Sequence, residues 1–242
     1  VSEREAFLRR FHVARPGITS SALGPHSYDR LAAAVPRGAR VLDLGCGDTR
    51  LLSRLGPRAV GLDLAPSRGL HAGGALVQGR AQALPFADRS FDACVCHLAF
   101  MLFDDITRVV AELRRVVVPG GVFAAVLGGG PTAGDPGAPA GPDRDDAFHR
   151  FLAIAAPRGP GFGDRRARTP AGWCELFGGT PGFERLELDL SGRFDDVWRF
   201  LGASYQLADA EAAAIRGRLE AGYAGCATVP CRVVMWLATT RL

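Results

Sequence analysis

The sequence predicts an α/β fold built on a mostly parallel sheet, and three observations carry that reading. Short apolar runs alternate with helical stretches between residues 38 and 130. The first run opens directly into Gly45-Cys46-Gly47, and the second carries Asp63, 20 residues beyond Asp43. Each run is apolar almost throughout, as strands covered on both faces must be.

In chain order, residues 1–37 read as helical cover. Phe7, Leu8 and Phe11 recur at helical spacing before Pro16-Gly17, and a second short helix spans about Ser27 to Val35, stopping at Pro36. Strands are expected at Arg40 to Leu44, Ala59 to Leu64, Ala75 to Val77 and Phe91 to Cys96, with a helical stretch to Leu55 after the first. A helix from about Asp104 to Val117 places Ile106, Val109, Val110, Leu113 and Val117 on one face and ends at Pro119-Gly120-Gly121; Val122 to Leu127 is the fifth strand. Gly128 to Pro142 lacks an apolar period and reads as a mobile loop, followed by a short helix over 145–156. Pro157 to Arg168 is again loop and holds Arg158, Arg165, Arg166 and Arg168; a solvated surface is the simpler account of that cluster. Thr169-Pro170 supplies an N-cap followed by proline at the first helical position. A strand at Phe183 to Leu190, helices near 194–206 and 208–222, and a last strand at Cys231 to Thr239 complete the chain.

Composition narrows the function classes. The chain has 242 residues, 48% hydrophobic and 22% charged, which suits a single domain over 1–242 with a sizeable core. The net charge of +4 is too small to imply a nucleic-acid partner. All 29 basic residues are Arg, with no Lys or Asn and with 31 Gly, which reads as the codon bias of a GC-rich bacterial genome. No apolar run reaches the ~18 residues of a membrane span, and the first residues lack the apolar stretch of a secretory signal, so a cytoplasmic location is expected. The six cysteines form no C-x-x-C pair or zinc-finger spacing, so reduced thiols and no metal are expected.

Three features fall at the ends of successive strands, where an open parallel sheet binds its ligand. Glycines at 45 and 47 let the backbone turn sharply and approach a ligand, with the amides of the following helix facing it. Asp63 can accept both hydrogens of a ribose diol. Gly79-Arg80-Ala81-Gln82-Ala83-Leu84-Pro85-Phe86 is a turn that could flank an adenine ring. A dinucleotide site competes, but its fingerprint needs a third glycine where this chain has Arg50.

The runs VLDLGCGDTRLL, GLDLAPS, RAQALPFADRSFDACVCHLAFMLFDD and VVAELRRVVVPGGVFAAVLGG, in this order over about 38–130, resemble the class I S-adenosylmethionine-dependent methyltransferases. They are most similar to the small-molecule branch of ubiquinone-biosynthesis and natural-product enzymes. FHVARPGITS, SYDRLA and the segment after Cys96, which stands where a Ser is usual, also resemble methyltransferases attached to polyketide assembly lines. The resemblance implies a Rossmann-like fold of seven strands, mostly parallel with an antiparallel last strand. It divides the chain into cover (1–37), cofactor-binding core (38–130), a lid or insertion with strand six (131–225) and the last strand (226–242), with cover and insertion closing over the acceptor.

The same resemblance implies S-adenosyl-L-methionine as cofactor. Asp43, Gly45, Cys46 and Gly47 would contact its methionine end and Asp63 its ribose hydroxyls. Leu64 would pack on adenine, with Ala81 and Gln82 at its edge; Cys96 and His97 would stand beside the sulfonium methyl. Tyr28 is either a further cofactor contact or core beneath the cover. Arg80 stands where the family usually has an acidic acceptor for the adenine amino group, and Arg accepts nothing. That contact therefore falls to Gln82 or the backbone.

Methyl transfer to a hydroxyl gains from a general base, and histidine suits neutral pH. His97, just past a strand end, is the first candidate; His149 is the second and His26 the third. Each is otherwise an ordinary hydrogen-bonding or solvated residue. Phe11, Phe100, Phe103 and Trp198 could line a substrate pocket or be plain core. The end of the fourth strand, Cys96-His97-Leu98-Ala99, lacks the Asn/Asp-Pro-Pro-aromatic tetrad, the Pro-Cys nucleophile and the glutamate pair of other methyltransferase types. The expectation is O-methylation of a small or carrier-tethered acyl metabolite in polyketide-type biosynthesis, a tethered one needing an entrance wide enough for a phosphopantetheine arm. N- or C-methylation, a nicotinamide-dependent oxidoreductase and a non-catalytic cofactor-binding protein are the alternatives.

Overall fold

A computed structural model of the chain describes residues 17–66, 75–128, 146–155, 163–204, 207 and 209–242, with the single positions 6 and 13. The helix around Phe7 to Phe11, the loop beyond Gly128 and Arg158 lie outside the described residues. Two compact units are resolved: Val1–Gly128, Gly161–Arg185 and Trp236–Leu242 form the first; Gly129–Pro160 and Leu186–Met235 form the second.

Seven strands form one sheet in the order β3-β2-β1-β4-β5-β7-β6: β1 Val41–Leu44, β2 Ala59–Asp63, β3 Ala75–Gln78, β4 Phe91–His97, β5 Val117–Gly128, β6 Gly182–Asp189 and β7 Arg232–Arg241. β1, β2 and β3 pair in parallel, as do β1 with β4 and β4 with β5; Leu44 stands opposite Leu62 and Asp43 opposite Val95. The last strand is antiparallel, and just past its end Leu242 exchanges backbone bonds with Gly120 and Gly121. The expected Rossmann-like architecture is present. The strand order reverses direction between β1 and β4, so their carboxyl ends flank the crevice where such sheets take ligands.

In the first unit, helix α1 (Ile18–Ala33) packs on β4 and β5. It begins nine residues before the expected Ser27, because Pro25 is tolerated inside it and Ser27 bonds back to the Leu23 carbonyl at 2.8 Å rather than capping a helix start. Only the single turn α2 (Leu52–Leu55) follows the glycine loop, so no helix begins at the glycines to aim its amides at a ligand. Helix α3 (Ile106–Val116) starts at Asp105, whose side chain accepts from the Arg108 amide, and buries Ile106, Val109, Val110, Leu113 and Val116. Pro119-Gly120-Gly121, expected to end that helix, instead lies within β5, which begins already at Val117.

Part of the stretch expected as lid is built into the first unit. Helix α5 (Pro170–Phe177) has Thr169 as N-cap, accepting from the Gly172 amide, and Pro170 at its first turn. Its Trp173 stacks on Phe123 of β5 with centroids 5.4 Å apart and meets Phe100 and Phe177. The second unit contains α4 (Ala147–Ala155), α6 (Phe194–Ser204) and α7 (Asp209–Ala221). Asp146 fastens it internally, accepting from the amides of Phe148 and Arg232. No helix among the described residues is long and apolar enough to cross a membrane.

Candidate functional site

The site grows from the turn that follows β1. Gly45 (φ 78°) and Gly47 (φ 49°) occupy left-handed backbone, and a Cβ at Gly45 would lie 2.6 Å from the Ala99 methyl. Only glycine meets both conditions at 45. Two amides, Gly45 and Cys46, donate to the Leu62 carbonyl at 2.7 and 3.1 Å and bind the turn to the end of β2. Thr49 also lies at positive φ (66°), a conformation uncommon outside glycine.

Acidic side chains converge here. The Asp63 carboxylate accepts from the Gly47 amide at 3.0 Å and the Ala65 amide at 2.9 Å, leaving each oxygen a second lone-pair direction for a diol. Asp43 differs: it is 1% exposed, and neither carboxylate oxygen has a hydrogen-bond partner. Burial first, and then the charges of Asp63 and Asp48, push its carboxyl up to about 8. A buried carboxylate without a donor is costly unless a ligand supplies one. The ammonium and sulfonium of S-adenosylmethionine are cations of the kind such a carboxylate lacks, so the residues present fit that group. Among the described residues, no cluster of three or more His, Cys, Asp or Glu is placed to hold a metal.

The adenine-side turn is held from behind. Arg115 bridges Glu112 and Asp88 and donates to the carbonyls of Leu84 and Phe86, while Glu112 accepts from the Leu84 amide. Ala81 and Gln82 are buried, and Leu64 is half-buried. The Gln82 Nε2 donates to the Asp104 carbonyl at 2.7 Å, which leaves Oε1 as that carboxamide's acceptor.

At the end of β4, Cys96 is fully buried, and its thiol is pushed well up, chiefly by burial and then by Asp43. His97 Nε2 lies 2.7 Å from the Ser27 hydroxyl, and the Tyr28 ring meets the imidazole edge-on at 4.7 Å. Burial lowers the His97 pKa to about 3, so the ring is neutral near pH 7. Tyr28 is buried on α1, as core beneath the cover would be. Phe100 is fully buried among aromatic rings and is core; Phe103 meets it edge-on. His149 and Trp198 belong to the second unit, on α4 and α6; His26 is exposed on α1.

Sequence reasoning missed Ser27 and Asp48. The first falls where the sequence predicts a helix start, whereas it is buried mid-helix beside His97. The second is buried one residue past Gly47 and ion-paired with Arg50, a charge that sequence alone would leave in solvent.

Residues 42–125 match the family described as a methyltransferase domain. With the fold, this match gives residues 42–125 as a methyltransferase domain of the class I S-adenosylmethionine-dependent kind. Several curated relatives match in sequence, two of which illustrate the range. A malonyl-[acyl-carrier protein] O-methyltransferase of Pectobacterium atrosepticum is 37% identical over 108 residues, covering 40% of this chain and 43% of that protein. A demethylmenaquinone methyltransferase of Corynebacterium kroppenstedtii is 38% identical over 90 residues, covering 35% and 39%, respectively. The match thus spans less than half the length of either relative. Among solved structures, the YcgJ protein of Bacillus subtilis aligns over 90% of this chain and 99% of its own, with a TM-score of 0.55 and 17% identity, a likeness of fold.

Proposed function

We propose that this chain transfers the methyl group of S-adenosylmethionine to an oxygen of a small bacterial metabolite, free or tethered to an acyl carrier, in polyketide-type natural-product biosynthesis. The observation that carries the donor half is the partnerless buried Asp43 carboxylate at the β1/β4 crevice, one strand from Asp63. Oxygen and the carrier are supported by the name of the Pectobacterium relative, and a small acceptor by the name of the Corynebacterium one.

In this reading Asp43 and the turn Gly45-Cys46-Gly47 hold the methionine end, and Asp63 takes the ribose hydroxyls. Leu64, Ala81 and Gln82 enclose adenine, with Gln82 Oε1 accepting from its amino group in place of the acid that Arg80 replaces. The donor supplies a methyl group already activated on a sulfonium. The chain's own work is then alignment of acceptor, carbon and sulfur, and exclusion of water. Cys96 and His97 border the transfer position, and His97, ahead of His149, receives the acceptor's proton where there is one. In this reading the chain works in the cytoplasm.

Calorimetry with S-adenosylhomocysteine tests the donor half. We expect binding, no binding of NADH, and a loss of affinity of roughly tenfold or more in Asp63→Ala, as expected when a charged hydrogen-bonding partner is removed. Unchanged affinity in that variant would refute the site. Mass spectrometry with labelled donor and a panel of phenols and acyl thioesters tests the acceptor half, the expected product being one methyl heavier.

A further inference from the structure

The Ser27 hydroxyl is fully buried and has two polar neighbours: the Leu23 carbonyl at 2.8 Å and His97 Nε2 at 2.7 Å. A hydroxyl carries one hydrogen. A carbonyl can only accept, so the Ser27 hydrogen goes to Leu23, and the Ser27 oxygen must accept from His97. Nε2 therefore carries the imidazole's proton, and Nδ1 is the bare nitrogen. The second ring nitrogen's role in a histidine is set in this way by the bond the first one makes.

We propose that Ser27 is a positioning residue that fixes His97 as the Nε2–H tautomer, so that Nδ1 accepts a hydrogen bond from the methyl acceptor, which must then be a hydroxyl rather than an ionised carboxylate. This rests on the methyl-transfer reading above and narrows its acceptor, setting this chain apart from the malonyl relative, whose acyl group offers a carboxylate oxygen. A carboxylate would set its lone pairs against the lone pair of Nδ1; a hydroxyl brings the hydrogen that Nδ1 needs. The edge-on Tyr28 ring holds the imidazole plane. In the step itself, an acceptor oxygen lone pair forms the new O–CH3 bond as the carbon–sulfur bond breaks. The electron pair of that bond neutralises the sulfonium to a thioether, and the hydroxyl proton passes to Nδ1 and thence to water. An imidazole kept neutral by burial is a weak base, which suits an acidic hydroxyl, a phenol or enol, over an alkanol.

The test has two readouts. Nitrogen NMR of the labelled full chain reads the tautomer without any turnover. Wild-type protein is expected to show protonated Nε2 and bare Nδ1, Ser27→Ala a mixture of tautomers, and Ser27→Thr the wild-type pattern. In single-turnover assays with labelled donor, Ser27→Ala is expected to slow methylation of a phenolic acceptor by about tenfold with S-adenosylhomocysteine affinity unchanged, and Ser27→Thr to restore the rate. A proton on Nδ1 in the wild type, or full phenol methylation by Ser27→Ala, would overturn the proposal. Intact donor binding with transfer to carboxylate acceptors alone would overturn the hydroxyl assignment and leave the methyl-transfer reading standing. Absence of donor binding would remove that parent reading and this one with it.

Discussion

Asp43 is buried with both oxygens unpartnered and a carboxyl raised to about 8, chiefly by burial and then by Asp63 and Asp48. Below that value the folded chain holds a proton at Asp43 that the unfolded chain releases near its ordinary value of 3.8. The sign follows: the residue favours the fold most below that ordinary value, and its contribution falls as pH rises toward about 8. A cationic ligand needs the carboxylate ionised, so binding expels the proton. Donor affinity should therefore rise roughly tenfold per pH unit up to about 8 and then level off, for one linked proton. Calorimetry in buffers of different ionisation heat counts that proton. Asp43→Asn should bind S-adenosylhomocysteine more weakly and release none; affinity independent of pH from about 6 to 8 would break the link between this carboxylate and the donor's cation. Nothing in the sequence announces this, because the motif marks the position of Asp43 but not that burial leaves it without a donor.

At the scale of elements, the aromatic packing of α5 on β5 ties a late segment of the chain to the core sheet. Trp173 is fully buried, stacks on Phe123 and donates Nε1–H to the Ala167 carbonyl at 2.9 Å. Trp173→Ala should cost about 3–5 kcal/mol in urea unfolding, and Trp173→Phe, which keeps most of the stack and loses the bond, about 1 kcal/mol beyond the lost volume. A cost under about 1 kcal/mol for the alanine variant would mean that α5 is not held to the sheet by this ring. The core was legible where pattern and position coincide. The β1, β2 and β4 runs, the Thr169-Pro170 start and the apolar face of α3 all follow from periodicity and capping chemistry. Where long-range pairing decides, local signals misled. Pro119-Gly120-Gly121 looks like a helix stop, yet pairing with Leu242 draws it into β5. Ser27, after a proline, looks like a cap, yet packing of α1 on β4 and β5 carries the helix through Pro25.

For the whole molecule, the decisive fact is how the chain is shared between the two units. It passes from one to the other at 128/129, 160/161, 185/186 and 235/236, while Asp43, the glycine turn, Asp63, Gln82 and His97 all lie in the first. A ligand that binds only the folded form stabilises the part that forms its site, by about 2.7 kcal/mol at a hundred times its Kd. For a chain of this size each kcal/mol is worth about 2–4 °C, so S-adenosylhomocysteine should raise the melting temperature by about 5–10 °C. If the units unfold separately, only the first unit's transition should move. Hydrogen exchange then distinguishes the cause: donor-dependent protection should concentrate at the amides of 45–49, 63–65 and 81–83, with the helices of the second unit unchanged by the donor alone. A phenolic acceptor added afterwards should extend protection to the α1 segment around Ser27, because that is where an acceptor bound at His97 would seat; protection that stops at the donor residues would mean that the acceptor binds elsewhere.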